Sequence, residues 1–242
     1  MTILQIDSDL FCYRCAASAE NDDVEIAKQR LDALLDEVIN RLQGDSFQFF
    51  LSGNHNFRYD IYPEYKATRI KLPKPRHLKA LREYAIQTYA ARVSDGCEAD
   101  DLMGIAQCML DKSGSIIVSL DKDMLMVPGM HYSWAIDGGP PEKRWHKDEK
   151  FQLVEPLQGL RTFYTQLLVG DPSDNIKGAP GIGKVIASRL LSNEYYTDDE
   201  MFDIVRDAYG CDAAMEMNAK VLWIWQEPNG IWQWPKDKEK YE

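Results

Sequence analysis

Nine acidic residues stand out by their spacing: Asp7 and Asp9; Glu98, Asp100 and Asp101; Asp121 and Asp123; Asp171 and Asp174. Hard divalent cations such as Mg²⁺ take oxygen ligands and usually keep several waters. Two such ions about 4 Å apart can activate a water and stabilise the leaving oxygen of a phosphodiester. Carboxylates drawn from several segments suit that chemistry, and without a cation they repel one another. Each pair alone has a plainer reading. Asp7 and Asp121 could cap helices, and Glu98-Ala99-Asp100-Asp101 suits any helix N-terminus. Four clusters at comparable places in one chain argue for a metal site.

A basic segment follows the first clusters. Between Arg58 and Arg92 nine Lys/Arg face three acids, a local balance of +6 in a chain of net charge −11. It opens with Pro63-Glu64-Tyr65-Lys66-Ala67-Thr68-Arg69. Lys66 and Arg69, three apart, would share one face of a helix and could offset charge on a phosphate in a transition state. Tyr65 offers a ring for stacking on a base. The cations from Lys71 to Arg82 could track a nucleic-acid backbone, or form a solvated helix face.

Near the C-terminus, Gly178-Ala179-Pro180-Gly181-Ile182-Gly183-Lys184 precedes a helical stretch. Glycines let backbone N–H groups approach a phosphate at a helix N-terminus, and Lys184 adds a cation. A nucleotide-binding P-loop is excluded because Val185 stands where Ser or Thr is required. A mere turn between helices is the bland alternative.

These residues need elements to hold them. The 242 residues, 45% hydrophobic, suffice for an α/β domain with an appended module. A pI near 4.9 argues against nucleic acid, but carboxylates facing metal ions and the uneven charge remove that objection. Thr2–Ile6, Phe47–Leu51 and Ser115–Leu120 read as buried strands, with Met130–Ala135 as a fourth and Tyr89–Val93 as a weaker one. Leu10–Ser18, Val24–Leu42, His77–Tyr84 and Glu98–Leu110 read as helices, and Ser52–Arg69 as loop. The expected fold is α/β: a mostly parallel twisted sheet with helices on both faces. Sites in such sheets lie beyond the carboxyl ends of the strands, and two strands end there in D-x-D. From about Glu155 only helices are expected, including Leu157–Val169, Lys184–Leu191, Asp199–Tyr209 and Ala213–Trp225. The division is a catalytic region, 1–155, and a helical region, 156–242. The tryptophan-rich tail is expected to pack on the core.

Five cysteines at irregular spacing, with no secretory leader, point to free thiols in a reducing cytoplasm. Cys12 and Cys15 are expected on the first helix, partly buried, and not at a zinc site. No run of 18 apolar residues suggests a membrane span.

Taken in order, from Ile3 to Leu191, the motifs resemble the 5′-nuclease (flap endonuclease) superfamily, and within it the bacteriophage-type 5′→3′ exonucleases. The residues that carry the resemblance are Asp7, Tyr65-Lys66-x-x-Arg69, E-A-D-D at 98–101, S-L-D-K-D at 119–123, G-D-P-S-D-N at 170–175, and the glycine loop. The resemblance implies a PIN-like fold and two Mg²⁺ or Mn²⁺ ions. Asp7, Glu98, Asp100 and Asp101 would serve the first metal region, and Asp121, Asp123, Asp171 and Asp174 the second. It implies Lys66 and Arg69 on the scissile phosphate, Tyr65 on the terminal base and Arg14 near the substrate, with Asp121 and Asp123 also counted as catalytic. A helix-three-turn-helix, about 170–192, would hold duplex backbone through Gly181, Gly183 and Lys184, with K⁺ there. A basic arch, about 60–92, would receive a 5′ end. The implied protein is a monomeric, cytoplasmic 5′→3′ DNA exonuclease, with flap endonuclease and RNase H-like primer removal. Its partners would be DNA with a 5′ end, or an RNA–DNA hybrid, and no membrane.

One departure is visible. The family's aspartate after the second strand is missing from Leu51-Ser52-Gly53-Asn54, and Asp9 is the candidate to compensate. That loss leaves a catalytically weakened or inactive DNA-binding member as one alternative. A PIN-type ribonuclease, which shares a similar acidic centre but generally lacks the glycine loop and the helices after it, is another.

Overall fold

The computed structural model describes residues 1–68, 73–110, 114–139 and 143–235. Its centre is a sheet in which β1 (Ile3–Asp7) lies between β2 (Ser46–Leu51) and β4 (Ser115–Val118). The edges are completed by β3 (Arg92–Val93) beside β2, and by β5 (Gly129–Ser133) and β8 (Lys150–Val154) beyond β4. The first five strands run parallel, and β8 runs antiparallel to β5. Ile3 stands opposite both Ser46 and Ser115, so the three central strands reach the same edge together.

Successive strand side chains point to opposite faces, and the sheet uses both. Leu4, Ile6, Phe49, Leu51, Ile116 and Val118 enter a core beneath α1 (Ser8–Ser18), α2 (Val24–Leu42) and α4 (Leu78–Tyr89). Phe50 and Ile117 enter a second core against α5 (Ala99–Met109), α6 (Pro156–Val169), α8 (Asp198–Tyr209) and α9 (Asp212–Leu222). The expected layering, helices on both faces of a mostly parallel sheet, is what the chain adopts. Helix ends follow local chemistry. Asp23 caps α2 by accepting from Glu25 N, and Gln43 ends it in a left-handed conformation.

The differences from expectation are local. Helix α4 runs on to Tyr89, which leaves a strand of only two residues, β3. The stretch after β2 contains a short helix, α3 (Phe57–Ile61), capped by Asn56. A small ladder of β6 (Ile136–Gly138) and β7 (Trp145–Lys147) was not expected, nor was β8. After α6 the chain is not purely helical. β9 (Gly170–Asp171) and β10 (Ile176–Lys177) form an antiparallel pair before α7 (Lys184–Leu190). Gly170 has a φ of 75°, and a Cβ there would meet Gly178 N at 2.3 Å, so this pair needs glycine.

Cys12 and Cys15 are fully buried on α1, not partly, and burial pushes the Cys12 thiol up to about 12. Such a thiol is inert. Trp223, Trp225, Trp232 and Trp234 pack into the cores as expected. No described helix is long and apolar enough to cross a membrane.

Candidate active site

A cavity of about 160 Å³ opens at the carboxyl edge of the sheet, and Asp7, Glu98, Asp100, Asp121, Asp123 and Asp174 line it with Tyr65 and Lys66. Asp7 is the last residue of β1 and caps α1, accepting from Leu10 N at 3.1 Å. Its other oxygen accepts from Ser119 Oγ at 2.7 Å. Ser119 Oγ in turn accepts from Asp121 N at 3.0 Å. Asp121 caps a 3₁₀ helix (Lys122–Met126) by accepting from Asp123 N at 2.9 Å. The ends of β1 and β4 are thus tied together through one serine. Glu98 and Asp100 come from the start of α5, and Asp174 from the turn between β9 and β10.

The electrostatics are those of an acidic site short of cations. Burial pushes Asp7 up to about 6, and the charge of Asp121 adds to the shift. Burial also raises Asp100 well above the usual carboxylate range, reinforced by the charges of Asp7 and Asp121. Asp121 is raised by burial and then by Asp123. Glu98 behaves oppositely: burial opposes its ionisation, but Lys66 and Arg58 outweigh it and hold Glu98 low. Lys66 Nζ donates to Glu98 Oε1 at 2.5 Å and lies 4.0 Å from Asp174 Oδ2. Among the described residues, no three His, Cys, Asp or Glu side chains stand at the spacing of one metal ion. The donors are nonetheless all oxygens, and their mutual repulsion is what a hard divalent cation relieves. The residues fit such an ion.

Several expected site residues serve elsewhere. Asp101 is completely buried and does not line the cavity. Arg58 grips both its oxygens, at 2.5 and 2.9 Å, and Glu98 N and Trp225 N donate to it as well. With its acceptors so used, it ties the start of α5 to Arg58 and to the chain after α9. Asp171 is also outside the cavity lining. Ser173 N and Oγ donate to one oxygen, and Gln166 Nε2 and Lys122 Nζ to the other. Asp9 lines the cavity, but Arg82 pairs with one oxygen and Ser52 N donates to the other at 2.8 Å. The compensation expected of it is therefore not what this arrangement shows.

The missing aspartate has a physical counterpart. A side chain at Gly53 would strike Ser94 O at 2.0 Å, and Ser52 Oγ is used to accept from Ala99 N at 3.1 Å, at the start of α5. Tyr65 is 3% exposed, so its ring is not available to stack on a base. Lys66 has a φ of 55°, a left-handed turn and not the helix that would have aligned it with Arg69. Arg69 lies outside the described residues. Arg14 is half-buried on α1 and does not line the cavity. Gly181, Gly183 and Lys184 are exposed at the start of α7, and a Cβ at either glycine would meet nothing within 4 Å.

Three contributors were missed. Arg58 was counted only as one of nine cations, yet it is buried and also donates to Val221 O and Trp223 O. Ser119 opens the S-L-D-K-D motif, in which only the two aspartates carry an evident chemical signal. Val221, Leu222 and Ile224 form an apolar wall of the cavity, brought there from the far end of the chain by Arg58 and Asp101.

A mostly parallel sheet with a cleft of carboxylates at its carboxyl edge suits one class of chemistry, phosphodiester hydrolysis with divalent metal ions. A family model described as "5′-3′ exonuclease, N-terminal resolvase-like domain" matches residues 3–150. A 5′-3′ exonuclease of Mycoplasma pneumoniae is 31% identical over 220 residues, covering 81% of this chain and 73% of that protein. The chain belongs to this 5′-3′ exonuclease family, and it is a hydrolytic nuclease. Among solved structures, T5 5′-exonuclease with bound divalent metal ions (zinc) gives a TM-score of 0.66 at 14% identity, covering 92% of this chain and 89% of that one. Bacteriophage T5 D15 flap endonuclease in a pseudo-enzyme-product complex with DNA and metal ions gives 0.58 at 14% identity, covering 92% and 98%. At that identity the two likenesses speak for the fold alone.

Proposed function

We propose that the chain hydrolyses phosphodiester bonds near the 5′ ends of DNA in a 5′→3′ direction, at duplex ends, nicks, gaps or flaps, and removes RNA from RNA–DNA hybrids. The observation that carries this reading is the convergence of Asp7, Glu98, Asp100, Asp121, Asp123 and Asp174 on one cleft. The family and the metal- and DNA-bound T5 structures support it.

Asp7, Glu98, Asp100, Asp121, Asp123 and Asp174 would hold two Mg²⁺ or Mn²⁺ ions. Bound there, such ions supply an activated water and charge neutralisation at phosphorus. Lys66 stands at the rim, paired with Glu98. On substrate binding it would turn from Glu98 to the scissile phosphate and offset its developing charge. Arg69 is assigned the same partner on resemblance, and Arg14 a place near the substrate. Gly181, Gly183 and Lys184, open to solvent, would meet duplex backbone, with K⁺ near that turn. The basic stretch at 60–92 would receive the 5′ end, and the helical region, 156–242, the duplex. Buried, unlinked Cys12, Cys15 and Cys97 support work in a reducing cytoplasm, by a monomer.

Cleavage of duplexes labelled at either end tests this directly, with Mg²⁺, Mn²⁺ or EDTA. The expected result is metal-dependent release of short products from the 5′ label, lost in an Asp121→Ala, Asp123→Ala double variant. Binding of DNA with neither label released in any metal would contradict it.

A further inference from the structure

Tyr65 is placed where its hydroxyl, and not the face of its ring, meets the site. The ring packs edge-on against Tyr59 with centroids 5.6 Å apart, and Lys66 Nζ lies 4.9 Å from its centroid. The hydroxyl is 3.0 Å from Glu98 Oε2 and 3.1 Å from Asp174 Oδ2. These two carboxylates belong to different walls of the cleft, one at the start of α5 and the other in the β9–β10 turn. Residue 66 repeats the connection. Its backbone N–H donates to Asp174 O at 3.0 Å while its Nζ donates to Glu98. A phenol has one hydrogen to give, so the hydroxyl donates to one of the two carboxylates at a time, and both stand within reach of that one donor.

We infer that Tyr65 is a positioning residue: its hydroxyl sets the separation of Glu98 and Asp174 and thereby the affinity of the cleft for divalent cations. This rests on the metal-dependent reading above. Groups that orient metal-binding carboxylates through hydrogen bonds commonly control affinity by 10- to 100-fold.

Tyr65→Phe separates the two roles that the residue could have. Phenylalanine keeps the ring, its packing and any capacity to stack, and removes one oxygen. Tyr65→Ala removes both. The readouts are Mn²⁺ binding to the DNA-free protein by calorimetry, melting in EDTA as a check of folding, and kcat and KM for a 5′-labelled duplex across Mg²⁺ concentrations. The expected result for Tyr65→Phe is Mn²⁺ binding weakened by about tenfold, a matching rise in the Mg²⁺ needed for half-maximal rate, and an unchanged KM for DNA. Wild-type Mn²⁺ affinity in Tyr65→Phe, with a raised KM for DNA in Tyr65→Ala alone, would overturn the inference in favour of stacking. A wild type that bound no Mn²⁺ and cut no DNA would overturn the metal-dependent reading, and this inference with it.

Discussion

Two sets of carboxylates have opposite fates, although Asp100 of one is the neighbour in sequence of Asp101 of the other. Asp7, Asp100 and Asp121 face the cleft, are pressed together by the fold, and are pushed toward protonation. Asp101 and Asp171 are also buried but are surrounded by donors: Arg58 and two backbone N–H groups for one, Ser173, Gln166 and Lys122 for the other. Around Asp171 burial works against ionisation, but these donors outweigh it and hold the carboxyl down at about 2. The contrast teaches that residue type and burial do not mark a metal ligand. Asp7, Asp100 and Asp121 are set apart by charge that the protein leaves uncompensated, and Glu98 by its place on the cleft beside its partner Lys66.

The sharpest way to break this division is to exchange neighbours. Asp101→Ala strips Arg58 of its two-pronged partner in a fully buried place and leaves Glu98, 3.9 Å away, as its remaining carboxylate. A stability loss of about 3 kcal/mol is expected from breaking a buried pair, read from urea unfolding. A variant as stable as the wild type would show that Asp101 does not hold the fold. Asp100→Asn should do the reverse. Cleavage falls by at least about 100-fold, while the metal-free protein melts no earlier than the wild type, because a repelling charge is gone. Early melting of Asp100→Asn would place it with Asp101.

These adjacent residues also show what a sequence can and cannot tell. Successive helical residues are rotated by about 100°, so Asp100 and Asp101 could not both face one cleft from the first turn of α5. Which of them does so is decided by Arg58, a residue far away in the chain and one of nine cations in its segment. The central strands and α2 were legible because their apolar runs and caps agree with their burial. Strands β6, β7 and β8 were not. They are short or edge elements, and Phe151 and Leu153 on β8 are exposed, so no burial pattern announces them. Tyr65 was read by its ring, and only its depth shows that the hydroxyl matters.

The two sets should also divide by pH in EDTA. Asp7 binds its proton more tightly folded than unfolded, so its contribution to stability is full at low pH. That contribution is lost as pH rises from about 4 toward about 6. Asp171 is held low, so its contribution is present above its unfolded value and is lost as pH falls toward about 2. Chemical denaturation between pH 3.5 and 7 should accordingly show a decline toward neutrality from the cleft that Asp7→Asn lessens, Asp100 and Asp121 supplying the rest, and that Asp171→Asn leaves whole. A decline of undiminished size in Asp7→Asn would contradict the assignment.

The smallest effect belongs to Asp9, whose partner is half-exposed. Arg82→Gln should cost about 1 kcal/mol or less, with metal binding unchanged. Tighter metal binding in that variant would mean that Asp9, once released, joins the cleft carboxylates after all.

The division is tested most directly by melting the wild type, Asp100→Asn and Asp171→Asn in EDTA and again in excess Mg²⁺. A ligand that binds only the folded protein raises its melting temperature. The account predicts a Mg²⁺-dependent rise for the wild type and for Asp171→Asn, and none for Asp100→Asn. A rise in Asp100→Asn equal to that of the wild type, or its loss in Asp171→Asn, would contradict it.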